Sequence, residues 1–318
     1  MRQTSAIAQP PEGGVDSPAK DRRPFSAPRS ASATLRLAAL ASLALISAAS
    51  PSHAADPCTD KARAVEALQN GDEYQAATLL FAAARLGCEP EARALLDRGA
   101  AIDAKDREGA TALGRAAQAG KIALAALLID RGANVNARAV DGSTPLFYAA
   151  EADRAAMMRL LIDRGADPNI PGRKGIRPLA VSAYTGSAGS VDLLLKHGAD
   201  PNALDDDGKS AMIYAAGRAY APVVELLIAA GVDVNRRYAH GLTALMWAAG
   251  HDASAGVDDV EATLKALIDH GAALDLKDDR AKTAADIARE LGHERAAKAL
   301  KQSALSRPDI GASPGGSP

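Results

Sequence analysis

Residues 142–169 read GSTPLFYAAEADRAAMMRLLIDRGADPN, and this stretch decides the architecture. Thr144 leads it, Leu146 follows two residues on, and the small pair Ala149-Ala150 stands at five and six. An apolar set at helical spacing comes next, then Gly165 and Asn169. Working outward, the same pattern leads from Thr78, Thr111, Thr144, Arg177, Ser210, Thr243 and Thr283; five of the six intervals are 33 residues and the sixth is 40. A fixed stride of this length means one small unit that cannot bury its apolar face alone and stacks on copies of itself.

Each unit reads as turn, helix, helix, extended arm. The small pairs Ala83-Ala84, Ala116-Ala117, Ala149-Ala150, Ser182-Ala183, Ala215-Ala216 and Ala248-Ala249 let neighbouring first helices approach closely. A second helix carries sets such as Leu124, Ala125, Leu127, Leu128 and Ile129, whose spacing is helical rather than alternating. Gly99, Gly132, Gly165, Gly198, Gly231 and Gly271 end it, where a left-handed residue satisfies the last carbonyls. Gly109, Gly142, Gly175, Gly208 and Gly241 suit the tip of a reversing turn.

The stretches TPLFYAA from Thr144, LLIDRGADPN from Leu160 and GLTALMWAA from Gly241 resemble ankyrin repeats over residues 73–301. The resemblance implies an all-α solenoid of helix-turn-helix units with short arms: six full units and a C-terminal cap. The Asn/Asp series Asp103, Asn136, Asn169, Asn202, Asn235 and Asp275 fits it. The family pattern has His three residues after the Thr, whereas Phe81, Gly114, Phe147, Ala180, Ile213 and Met246 stand there, so polar bridging between turns is expected to be weaker. Arg177 and Ser210 replace the leading Thr, which makes the fourth and fifth units the expected irregular ones.

Both ends read as helical caps. Residues 55–72 form the N-terminal one, with a lone helix expected over Ala62–Asn70 and a truncated first arm; Arg289 and Lys301 make the last unit's outer face polar. Residues 302–318 are Ser-, Gly- and Pro-rich and are expected to be a disordered tail. Residues 1–54 have the layout of a signal peptide with a long polar n-region: Arg36, an apolar run from Leu37 to Ala49, then Ser52-His53-Ala54 before the cut. Export to a periplasm, or secretion, is the expectation.

Both cysteines, Cys58 and Cys88, lie beyond that cut, near the same end of adjacent units, and a disulfide between them is expected. The leader carries six basic residues against three acidic, so removing it takes the net charge from −2 to −5. Together with an aromatic content of 3%, that excludes a nucleic-acid module. No Gly-x-Ser-x-Gly elbow, His-Glu-x-x-His, Gly-Lys-Ser/Thr loop or Cys-x-x-Cys occurs, so no catalytic residue, cofactor or metal is assigned. The seven extra residues of the 40-residue interval fall in Gly250–Ala262, where Asp258 reads as a helix N-cap and Asp259 and Glu261 as first-turn residues.

The resemblance implies protein binding through arm tips and the exposed side of the first helices. On the arms those positions hold Lys105, Arg107, Arg138, Arg173, Lys174, Asp206, Asp207, Arg237 and His240; on the first helices they hold Gln118, Glu151, Tyr184, Arg218 and His251. Trp247 is expected to stack between units. The reading is a monomeric, non-catalytic adaptor exported to bind a periplasmic or envelope protein. Two alternatives stay open: a secreted effector that meets a host protein, and a metal-binding or enzymatic protein using the 250–262 loop.

Overall fold

The structure, a computed structural model, describes residues 58–68, 72–251 and 255–306. The leader, residues 1–54, and the last part of the expected tail lie outside them. Fifteen α-helices occur among the described residues, and no strands: α1 Thr59–Glu66, α2 Glu73–Leu86, α3 Glu89–Asp97, α4 Ala112–Ala119, α5 Ile122–Asp130, α6 Pro145–Glu151, α7 Ala155–Asp163, α8 Pro178–Thr185, α9 Ala188–Lys196, α10 Ala211–Gly217, α11 Ala221–Ala229, α12 Ala244–Ala249, α13 Val257–Asp269, α14 Ala284–Glu290 and α15 Glu294–Ser306. From α2 onward they pair two by two, and each first helix packs on the first helix of the next unit.

The repeated leading residue works as a helix cap. The hydroxyls of Thr111, Thr144 and Thr243 accept hydrogen bonds from the N–H groups of Gly114 (3.2 Å), Phe147 (3.2 Å) and Met246 (3.4 Å). The small pairs that follow are wholly buried, as are Leu80, Leu113, Leu128, Leu146, Leu161 and Leu194, and one hydrophobic core runs through every unit. The helix-ending glycines adopt φ between 82° and 93°, the left-handed region in which a Cβ is costly.

Several expectations need correction. Thr78 does not lead a helix: α2 starts at Glu73, with the Asp72 carboxylate accepting from Gln75 N–H at 2.9 Å, so the first unit has extra helix where others have an arm. Thr78 sits mid-helix and donates its hydroxyl back to Tyr74 O. The cap helix α1 begins at Thr59 and ends at Glu66, upstream of the Ala62–Asn70 reading, because Cys58 is its N-cap. The last helix runs to Ser306, past Lys301, since Ser303 and Ser306 satisfy their hydroxyls on Ala299 O and Gln302 O inside it. The insertion lengthens α13 at its N-terminus to 13 residues, and Gly256 rather than Asp258 is its N-cap, leaving Asp258 and Asp259 in the first turn.

The fourth and fifth units keep the common helix pattern. Pro178 fills the first position of α8, where no N–H is needed, so Arg177 can stand in for Thr without delaying the helix. Bridging between turns is carried by the Asn/Asp series in place of the missing His. Asn136 accepts from Asp167 N–H (2.9 Å) and donates to Gly165 O (3.1 Å); Asn169 does the same to Asp200 (2.8 Å) and Gly198 (2.9 Å), and Asn235 to Ala273 (2.8 Å) and Gly271 (3.1 Å).

Candidate protein-binding surface

The arms are tied together by cations six residues before the leading positions of the second, third and sixth units. Lys105 Nζ donates to Arg138 O at 2.9 Å, Arg138 to Pro171 O at 3.2 Å and Arg237 to Lys277 O at 2.8 Å. Pro171 occupies this position in the fourth unit and has no donor. Arg177 takes its place, donating Nε to Asn169 O (3.1 Å) and a terminal nitrogen to Leu204 O (3.0 Å). Lys105, Arg138 and Arg237 therefore have their donors turned along the array, and Arg237 also lies 4.0 Å from Asp279.

Backbone bonds complete the arm-to-arm contacts, from Val140 N–H to Glu108 O (3.1 Å), Asp206 N–H to Lys174 O (3.0 Å) and Asp279 N–H to His240 O (3.0 Å). Lys174 and His240 adopt φ of 53° and 60°, which turns their side chains out at the exposed tips. Arg107 is exposed at the tip of the preceding arm.

On the first helices the candidates fall into pairs and a cluster. Glu151 forms an ion pair with Arg173, whose guanidinium lies 5.6 Å from the Phe147 ring centre. Gln118 accepts from Arg115 at 3.3 Å, and Arg115 is itself ion-paired at 2.6 Å to both Asp106 and Glu108. His251 stacks on His293, ring centres 3.8 Å apart.

The cluster spans the fourth to sixth units. Arg218 lies 4.5 Å over the Tyr184 ring and 5.8 Å from Tyr220; Tyr184 meets Tyr214 edge-on at 5.8 Å; Lys209 stands 5.9 Å over Tyr214 and 5.8 Å over Trp247. Trp247 also faces the previous unit, where a Cβ on Gly217 would lie 3.5 Å from its ring. Tyr214 donates its hydroxyl to Asp205 at 2.5 Å, and burial with that carboxylate pushes its pKa up, so it stays neutral. Tyr184 remains 49% exposed, so the row offers an aromatic face already fixed in place.

A family model described as ankyrin repeats (3 copies) matches residues 52–139, 79–172, 138–205 and 179–258. The chain belongs to the ankyrin-repeat family. No curated protein matches it. Ankyrin repeats mediate protein–protein contacts and the family is typically a non-catalytic scaffold. No helix among the described residues is long and apolar enough to cross a membrane.

The sequence had singled out Tyr184 and Arg218 but not Tyr214, Tyr220 or Lys209. Tyr184 and Arg218 are 34 residues apart, one stride plus one, and this spacing is the signal that would have joined them. Arg107 and His240 stand on arm tips apart from this cluster, so the candidate set does not converge on one point.

Proposed function

We propose that this ankyrin array is an exported adaptor without catalysis of its own, which docks a periplasmic or envelope protein on the row from Tyr184 to Trp247. The observation that carries the reading is the alternation of aromatic rings and cations across three units with Tyr184 half exposed. Tyr and Arg are the side chains that most often anchor interfaces, and rings held by neighbours lose little entropy on binding. Asp207, whose carboxylate lies 4.0 Å from Lys209, adds an acidic contact beside the row. The leader layout and the Cys58–Cys88 pair support an oxidising compartment outside the cytoplasm.

The test combines location with capture. Fractionation of cells carrying a C-terminally tagged chain should place the shortened protein in the periplasm. A bait from that fraction should retain a partner that the Tyr184→Ala/Arg218→Glu variant loses and the Arg138→Gln variant keeps. Full-length protein in the cytoplasm, or equal capture by both variants, would refute the reading.

A further inference from the structure

The ends of α1 and α3 hold chemistry that protein docking does not use. Cys58 is the N-cap of α1 and Cys88 the N-cap of α3, and a disulfide joins them with Cα atoms 5.5 Å apart. Beside them, at the third position of α3, stands Glu91. Its carboxylate and the two sulfurs lie within 4.8 Å of one another, the grouping of metal-ligand type found among the described residues. Glu91 Oε2 is buried and has no hydrogen-bond partner. A carboxylate oxygen taken out of water without a donor is costly, and a disulfide offers it none.

We infer that Cys58, Cys88 and Glu91 form a redox-gated zinc site: in the reduced chain two thiolates and one carboxylate bind a single zinc ion, and disulfide formation expels it. Zinc–sulfur bonds of about 2.3 Å and zinc–oxygen bonds of about 2.1 Å place tetrahedral ligand atoms roughly 3.4 to 3.8 Å apart. In the disulfide the two sulfurs are bonded, so reduction must first let them part to this span, while the Glu91 carboxylate already lies within 4.8 Å of both. Two soft thiolates with one hard oxygen suit a borderline cation such as zinc better than calcium or magnesium. Each sulfur also sits at a helix N-terminus, where the backbone dipoles favour the thiolate that a metal requires. Cys88 is 1% exposed, while Cys58 is partly accessible, so a reductant attacks at Cys58 and the Cys88 thiolate leaves.

Both directions balance against a dithiol/disulfide couple as co-reactant. In the oxidising direction the partner disulfide takes two electrons from the zinc-bound thiolates and two protons from solvent, becoming a dithiol as Cys58 and Cys88 rejoin and zinc leaves. In the reducing direction the dithiol transfers two electrons and two protons and becomes a disulfide, while Cys58 and Cys88 become thiols. Zinc then displaces the two thiol protons to solvent, and a water completes the fourth position on the Cys58 side. The cap is stapled in both states, by sulfur–sulfur in one and through the metal in the other.

The test uses the purified protein reduced with dithiothreitol, freed of reductant without air, and titrated with cobalt(II) and then zinc. One equivalent of cobalt should give a thiolate-to-metal charge-transfer band that zinc abolishes, and the oxidised protein should give none. Cys58→Ser should lose the band, and Glu91→Gln should bind at least about ten-fold more weakly while still forming its disulfide. A zinc-dependent rise in the melting temperature of the reduced protein should accompany the band. No stoichiometric band in the reduced protein, or a Glu91→Gln titration matching the wild type, would overturn the inference.

Discussion

Replacing Arg177 by Thr brings the fourth unit into line with Thr111, Thr144, Thr243 and Thr283, and on repeat pattern alone this change should stabilise. A new hydroxyl cap on α8 is worth about 1 kcal/mol. Arg177, however, carries two bonds that no Thr can make, to Asn169 O and Leu204 O. On a partly exposed arm each contributes about 1 kcal/mol, the ordinary net value for a protein hydrogen bond. Losing about 2 and regaining about 1 leaves Arg177→Thr less stable by about 1 kcal/mol. Pro171 is the reason, because it interrupts the ladder that Arg138 and Arg237 continue. Adding Pro171→Arg to Arg177→Thr restores a donor at the same rung and should return the chain close to wild-type stability. Urea denaturation followed by helical circular dichroism gives the comparison, with midpoints shifting at an unchanged slope. A rise in midpoint for Arg177→Thr, or a double variant no better than the single, would refute the ladder.

Other expectations follow from single sites. Gly172→Ala should destabilise by about 1–3 kcal/mol, because a Cβ there would lie 2.6 Å from the fully buried Phe147 ring; an unchanged melting temperature would contradict it. The Thr283 hydroxyl, which donates at 2.7 Å, and the Thr283 N–H hold Asp286 down to about 2, below its unfolded value, so its contribution is present above pH 4 and is lost as pH falls through 2. With a side chain 37% exposed this is discounted to about 1 kcal/mol, and the stability gap between wild type and Asp286→Asn, measured from pH 7 to 2, should close over that window rather than stay constant. Reducing the 30-residue Cys58–Cys88 loop in the presence of a chelator should cost up to about 3.6 kcal/mol on the chain-entropy relation. Because α1 buries only Val65, the loss should appear as faster proteolysis at Lys61 and Arg63 before any change in the later units.

The repeat was legible because its signals are local. A Thr, a small pair and a terminating glycine each act within one helix, so their spacing alone places the units. The arm ladder was not, since Arg138 matters only when the carbonyl of Pro171 is known to lie beside it in the next unit. The same holds for the row at Tyr184, whose partners Arg218 and Tyr214 come from the following unit. Asp72 was passed over because Thr78 kept the 33-residue stride, although an Asp three residues before Gln75 is the stronger local cap. The helix that the insertion adds at the start of α13 was missed because Gly256 does not look like a cap.

Site-specific photo-crosslinking tests the central claim most directly. With p-benzoylphenylalanine at Tyr184 in the exported protein, light should join a discrete second protein to the chain, whereas the same residue at Glu225 on the second helix α11 should not. Adducts of equal yield at both positions, or none at Tyr184, would contradict an array whose first-helix row is its docking face.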